Sequence, residues 1–235
     1  MSLQLRRMLL LFVGGVAGVF AVLPHPLRHL GEFIGDAAVI AVAASAGTYL
    51  APRAGLQSPL VDAAMTGRSF LRRSLALAAQ ALAVGVATTI VLLAIDAALF
   101  APRLPEAQLR SATSPPLTGV LYALAGGISE EVVFHFGLMA VLAWVALRLM
   151  PDAASYWIAI GVSGLALGLS HLSTTGALPV TPSAATRAVV LTALGGVVTG
   201  WLYSRRGLEA AMVAHGVVGF GLHVGAPGVF DLKGP

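Results

Sequence analysis

The sequence contains no cysteine, which excludes a disulfide framework, a thiolate metal site and a cysteine nucleophile. Asparagine is also absent, and lysine occurs only once, at Lys233. Charged residues make up 10% of the 235 residues, whereas soluble domains contain roughly 25%. This scarcity of charge excludes both a water-soluble globular protein and a disordered chain.

Apolar residues dominate instead, at 57% of the chain, and the mean hydropathy is +0.88. Most of the apolar runs approach the roughly 20 residues that a helix needs to cross a bilayer. The first run follows Arg6 and Arg7 like a signal peptide, but no clean cleavage site follows it, so we expect an uncleaved span. The runs cover about 8–23, 33–51, 74–100, 117–149, 155–172, 183–204 and 208–225. The sequence therefore predicts an all-α polytopic membrane protein of about seven transmembrane helices, forming a single helical domain over residues 1–235.

The basic residues lie in short clusters between these runs, which is typical of membrane topology signals and not of nucleic-acid binding. With the N-terminus inside, the cytoplasmic segments hold nine basic residues: Arg6, Arg7, Arg53, Arg68, Arg72, Arg73, Arg148, Arg205 and Arg206. The opposite side holds five: Arg28, Arg103, Arg110, Arg187 and Lys233. This asymmetry predicts a cytoplasmic N-terminus and an external C-terminus. We expect an integral protein of a bacterial inner (plasma) membrane, with the lipid bilayer as a partner and no nucleic acid.

The fourth run, 117–149, is too long for a simple span. Its 33 residues would reach about 50 Å as an α-helix, whereas the hydrocarbon core is about 30 Å thick. We expect the helix either to tilt and project or to break near Gly126-Gly127. Small residues four apart, such as Gly164/Gly168 and Gly196/Gly200, predict close helix packing elsewhere.

Two adjacent acids, Glu130 and Glu131, lie within this fourth run with no basic residue nearby in the sequence. An ionised carboxylate at mid-membrane costs at least about 2.5–3.5 kcal/mol, so intramembrane acids usually have a function. His135 follows Glu131 by four residues and shares its helix face. It could hold the Glu131 carboxylate, or simply bind a backbone carbonyl.

Two further histidines fall within or at the end of apolar runs. His171 ends the fifth run and His215 lies in the seventh. A diacid with two imidazoles provides a base, an orienting group and an electrophile or metal ligand for water activation. The candidate catalytic residues are therefore Glu130, Glu131, His171 and His215. We interpret the other histidines, His25, His29 and His223, as bystanders.

Three segments resemble the motifs of the CAAX protease and bacteriocin-processing (CPBP) family of intramembrane endopeptidases. Glu130-Glu131-Val-Val-Phe-His135 resembles its EExxxR or EExxFR motif, and Leu167-Gly-Leu-Ser-His171 resembles FxxxH. His215-Gly-Val-Val-Gly219 resembles HxxxN. The likeness covers about residues 117–220, which we expect to be the catalytic core.

The resemblance implies hydrolysis of a peptide bond of a membrane-associated protein or peptide. Glu130 would activate water as the general base, Glu131 would support it, His171 would hold the water, and His215 would stabilise the oxyanion. Here His135 replaces the motif's arginine, Leu167 its phenylalanine and Gly219 its asparagine.

Because no asparagine exists elsewhere, the oxyanion donor would have to be found among other groups. It would be His215 alone, a backbone N–H near Gly216 or Gly219, an ordered water, or His223. Removing one such donor typically costs about 10²–10³ in rate. We predict dependence on His215 and no loss of rate in Gly219→Asn, provided that helix contact does not require the glycine.

Three alternatives remain open at the level of the sequence. Gly-Val-Ser163-Gly resembles the serine motif of rhomboid proteases, and Ser163 with His215 would form a catalytic dyad. A non-catalytic scaffold, immunity protein or carrier would use the acids only as structural or proton-relay groups. Zinc could be held by Glu130, His171 and His215, but without HExxH we predict a site with no metal and no other cofactor.

Overall fold

The computed structural model describes residues 1–23, 29–67, 71–104, 115–172 and 181–225, apart from the side chains at 71–73 and 152. Within these ranges the regular structure is helical and contains no β-strand. Seven of these helices are long and apolar enough to cross a membrane. The prediction of an all-α polytopic membrane protein with about seven transmembrane helices is therefore confirmed.

The helix bounds follow the hydropathy pattern to within a few residues at most ends. The seven long helices are α1 (Leu3–Val22), α2 (Leu30–Leu50), α4 (Leu71–Ile95), α5 (Pro116–Ala146), α6 (Asp152–Ser170), α7 (Pro182–Arg206) and α8 (Leu208–Phe220). A short helix that hydropathy does not predict, α3 (Pro59–Thr66), lies between α2 and α4. A π-helical turn, Asp96–Phe100, extends α4, and another, Gly221–Gly225, extends α8.

The orientation of the bundle in the membrane stays a prediction. Several of the residues on which it rests, together with His25, lie outside the described part of the chain: Arg28, Arg68, Arg110 and Lys233. The side chains of Arg72 and Arg73 lie outside it as well.

The central helix, α5, changes its winding where the sequence suggested a break. It is an α-helix to Ala125, a π-helix over Gly126–Met139 and an α-helix again from Ala140. Gly126 keeps right-handed helical dihedral angles, so the chain continues without a break. The i→i+5 hydrogen bonds of a π-helix take up more residues per turn, which shortens this long segment. Stretches of π-helix are frequent at functional sites, and the two acids lie inside this one.

Close packing fixes the π-helical section against its neighbours. The hydroxyl of Ser129 donates a hydrogen bond to the carbonyl of Gly15 on α1, over 2.7 Å. A Cβ at Gly127 would lie 2.9 Å from the carbonyl oxygen of Met212, so only glycine permits this approach to α8. The section is therefore held between helices from both ends of the chain.

The antiparallel helices α6 and α7 cross at their glycines. A Cβ at Gly164 would lie 3.0 Å from the backbone nitrogen of Val197, and one at Gly196 would lie 3.0 Å from Gly164 Cα. The prediction that Gly164 and Gly196 mark close helix packing is confirmed.

The turn between α7 and α8 is tied to the short helix α3. Gly207 has a φ of +102°, a conformation that other residues rarely adopt, and Leu208 donates a backbone hydrogen bond to Gln57. The Glu209 carboxylate accepts hydrogen bonds from the backbone N–H groups of Leu60 and Val61, at 2.9 and 2.7 Å. Glu209 thus caps the N-terminus of α3.

A buried ion pair joins α4 to α7. Asp96 is 1% exposed, and its carboxylate accepts two hydrogen bonds from the Arg187 guanidinium, each 2.6 Å long. This pairing accounts for the acid inside the third apolar run, whereas Glu130 and Glu131 in the fourth run need another explanation.

Candidate active site

The two adjacent acids of α5 have different surroundings. The Glu131 side chain is fully buried, whereas the Glu130 side chain is 30% exposed. Of the two, Glu130 is therefore the one that water or a substrate can reach.

Glu131 orients His215 of α8. The His215 Nδ1–H donates a hydrogen bond of 2.8 Å to Glu131 Oε1, and the opposite ring nitrogen, Nε2, lies 3.5 Å from Glu130 Oε2. A Cβ at Gly126 would lie 3.3 Å from this Nε2 and 3.6 Å from the same Glu130 oxygen. Glycine at 126 therefore keeps the space between the imidazole and the carboxylate open.

His171, at the C-terminal end of α6, lies on the other side of Glu130. Its Nε2 is 3.7 Å from Glu130 Oε1, while its Nδ1 lies 3.1 Å from the carbonyl oxygen of Leu167. Because a carbonyl can only accept, Nδ1 carries the proton in this contact and Nε2 presents a lone pair to Glu130 in the neutral ring. Glu130 thus has an imidazole nitrogen beside each of its two oxygens.

His135 holds the second oxygen of Glu131. Its Nε2 lies 3.0 Å from the carbonyl oxygen of Gly196 and must therefore be the donor there. Its Nδ1 lies 2.8 Å from Glu131 Oε2, with both side chains fully buried. This contact is an ion pair by distance, and neither of the two atoms has a partner with hydrogen-bond geometry. Gly200 makes room for this ring, because a Cβ there would lie 3.0 Å from His135 Nε2.

The structure brings all four sequence-predicted residues together and joins His135 to them. The order of contacts is Gly196 carbonyl, His135, Glu131, His215, Glu130, His171 and Leu167 carbonyl. Sequence reasoning left two roles for His135, to hold Glu131 or to bind a backbone carbonyl, and the ring does both. Sequence reasoning considered Gly126, Gly196 and Gly200 only for a helix break or for packing and missed their part in the site. A glycine that provides space or a carbonyl carries no chemical signature.

His223, interpreted as a bystander, lies on the π-helical turn after α8. Its ring contacts Tyr122 of α5 with centroids 5.7 Å apart. It therefore lies against the same helix that carries Glu130 and Glu131.

Gly219 leaves no space for the asparagine that the third motif would have. A Cβ at this position would lie 2.9 Å from Cα and 3.2 Å from Cβ of Ala123 on α5. The prediction that Gly219→Asn keeps its rate assumed that helix packing does not require glycine at this position. The contact with Ala123 does require it, so that condition is not met.

The Ser163–His215 dyad finds no support in the geometry. Ser163 is fully buried and its hydroxyl donates to the carbonyl of Ile160 over 3.2 Å. Both ring nitrogens of His215 face glutamate carboxylates instead.

A metal centre is likewise not apparent from the side chains that the structure describes. No group of three or more His, Asp or Glu residues among them is arranged to hold a metal ion. The zinc alternative at Glu130, His171 and His215 thus gains no support, while the metal-free site stays a prediction.

Comparison with known families matches residues 112–221 to the type II CAAX prenyl endopeptidase Rce1-like family. Residues 112–221 belong to this family. The matched region contains all three motif segments and the five side chains from Glu130 to His215 that contact one another, and it ends just before His223. The match supports a CAAX protease-type membrane endopeptidase domain in this segment, which is just under half of the chain. No curated protein and no solved structure matches the chain.

Proposed function

We propose that the protein hydrolyses a peptide bond of a membrane-associated protein or peptide, using water activated by Glu130. The observation that carries the proposal is the partly exposed Glu130 carboxylate between two imidazole Nε2 atoms at 3.5 and 3.7 Å. A general base must be accessible and must lie within reach of the water that it deprotonates. Glu130 meets the first condition, and Glu131 does not.

Each neighbouring side chain has a definite part in the proposed reaction. The Nε2 lone pair of His171 accepts a hydrogen bond from the water, and Glu130 takes a proton from that water as its oxygen attacks the carbonyl carbon. Glu130 then passes the proton to Nε2 of His215, and the resulting imidazolium donates a hydrogen bond to the oxyanion. When the C–N bond breaks, the same proton is transferred from Nε2 to the leaving amine. Because the buried Glu131 carboxylate faces Nδ1, it stabilises that imidazolium.

Glu131 and His135 are positioning residues in this scheme, since they act through His215 and not on the substrate. The ion-pair contact with His135 holds the Glu131 carboxylate, and the hydrogen bond from Glu131 fixes the tautomer and ring plane of His215. The family name points to a prenylated CaaX tail as the substrate. A bacteriocin leader and a C-terminal sorting signal are the other substrate classes that we retain. We propose that the protein acts in a bacterial inner membrane.

The test is cleavage of a farnesylated CaaX peptide by the protein reconstituted in lipid vesicles. We expect Glu130→Gln and His171→Ala each to lower the rate by about 10²–10⁴ at unchanged protein level. Glu32→Gln, at a carboxylate that is 71% exposed, is the matched control and should cleave normally. Ser163→Ala should also cleave normally.

Two outcomes would overturn the proposal. Activity in Glu130→Gln together with loss in Ser163→Ala would favour the rhomboid-like mechanism. An unchanged cellular phenotype in Glu130→Gln would favour a non-catalytic scaffold.

Metal dependence is tested separately by prolonged chelation, which should leave cleavage intact. A loss of cleavage that added Zn²⁺ restores would establish a zinc site.

A further inference from the structure

The helices α6 and α7 enclose a cleft at the end of the pair that lies away from His171. The crossing at Gly164 and Gly196 holds the two backbones in contact. Near the start of α6 and the end of α7 the two helices carry the large side chains of Tyr156, Trp157 and Trp201. These side chains line a cleft of about 310 Å³ between the helices. This volume is at the lower end of the roughly 300–1,000 Å³ of ligand pockets.

The lining of the cleft is aromatic and apolar inside and basic at the rim. Ile160 forms its floor and is 2% exposed, while Trp157 and Trp201 are 55% and 36% exposed. The Tyr156 hydroxyl donates to the carbonyl of Ala54 over 2.6 Å, which fixes the position of that wall. The cleft therefore has a rigid apolar interior that opens on the outer surface of the bundle.

Arg205 lies at the mouth of this cleft, on the last turn of α7. Within the described ranges it forms no salt bridge with an acidic side chain, and it is exposed. Its charge is therefore available to an anion that enters between the two helices. The neighbouring Arg206 is also exposed but does not line the cleft.

The level of the cleft in the membrane decides which anion it meets. Both lining segments lie at the ends of spanning helices, Ala153–Ser170 and Pro182–Arg206. Tryptophan and tyrosine are enriched at this depth, beside the lipid headgroups. Basic pockets between transmembrane helices bind anionic headgroups, and one arginine at a negative membrane surface contributes about a fivefold change in affinity.

We propose that this cleft is a binding site for one anionic phospholipid, separate from the active site. Its phosphate pairs with the Arg205 guanidinium, and its acyl chain lies along Trp157, Ile160 and Trp201. The arginine count places the cleft in the cytoplasmic leaflet, which is the more negative one.

The experiment is native mass spectrometry of the delipidated full-length protein with phosphatidylglycerol and phosphatidylcholine at equal concentration. We expect the wild type to retain one phosphatidylglycerol in preference to phosphatidylcholine. In Arg205→Gln the preference for phosphatidylglycerol over phosphatidylcholine should fall about fivefold. Arg206→Gln removes the same charge one residue away and should keep the preference of the wild type. Helical melting curves establish that both variants are folded.

Two controls separate the possible sources of binding. Millimolar inorganic phosphate should leave the bound phosphatidylglycerol in place, because the apolar cleft holds the acyl chain. In a Trp144→Phe background, brominated phosphatidylglycerol should quench the fluorescence of Trp157 and Trp201 more than brominated phosphatidylcholine does. Equal losses in Arg205→Gln and Arg206→Gln, displacement by phosphate alone, or equal quenching by the two lipids would each overturn the proposal.

Discussion

At Gly219 the backbone of α5 takes up the space that a side chain would need. Gly219→Asn should therefore overpack the contact with Ala123 and destabilise the protein by about 1–3 kcal/mol without raising the cleavage rate. A thermal melt in detergent measures the first effect and the vesicle assay the second. The matched control is Gly161→Asn on α6, where a Cβ would meet no atom within 4 Å. A rate increase in a stable Gly219→Asn protein would contradict this packing argument.

His223 is one of the candidates for the oxyanion donor that replaces the absent asparagine. If its ring donates to the oxyanion, His223→Ala should lower kcat by about 10²–10³ and leave KM nearly unchanged. His29→Ala serves as the control, because His29 is exposed and pairs only loosely with Glu32, at 3.4 Å. A His223→Ala protein with normal kcat would leave His215, a backbone N–H or a water as the donor.

Among the helices, α7 contributes to the site in two ways: Gly200 leaves room for the His135 ring, and the Gly196 carbonyl accepts a hydrogen bond from it. Gly200→Ala would place a Cβ 3.0 Å from His135 Nε2 and should displace the ring from Gly196. Since His135 acts through Glu131 and His215, we expect kcat to fall at least tenfold and KM to stay within twofold, with the protein folded. Gly195→Ala on the same helix meets its nearest atom only at 3.8 Å and should behave like the wild type. Equal kinetics in the two variants would remove His135 from the mechanism.

The helices themselves could be predicted because their signals are local. An apolar run of sufficient length specifies a spanning helix, and the cost of an acid in lipid singles out Glu130 and Glu131. The winding of Gly126–Met139 could not be predicted, since i→i+4 and i→i+5 hydrogen bonds use the same backbone groups. Contacts between distant residues, such as Asp96 with Arg187 or His135 with Gly196, depend on how the helices pack and have no local signal.

For the molecule as a whole, the arginine distribution predicts its orientation in the bilayer. A phosphatase reporter fused after residue 60 should be inactive, because the arginine count predicts that this segment is cytoplasmic, and one fused at the C-terminus should be active. A reporter fused after residue 151, in another segment predicted to be cytoplasmic, should be inactive as well. Phosphatase activity at residue 60 would invert the orientation and move the cleft at Arg205 to the other leaflet.

The contacts of α5 also bear on how the chain enters the membrane during synthesis. Glu131 and His135 of α5 meet their partners on α7 and α8, the Gly196 carbonyl and His215, which are 61 and 84 residues further along the chain. When α5 leaves the ribosome, neither partner has yet been made. Because these groups are costly in lipid, we expect α5 to gain its full stability in the bilayer only after α7 and α8 have been made. The acid-bearing helix is the fourth spanning helix to be made, but its polar contacts are complete only when the last spanning helix has been made.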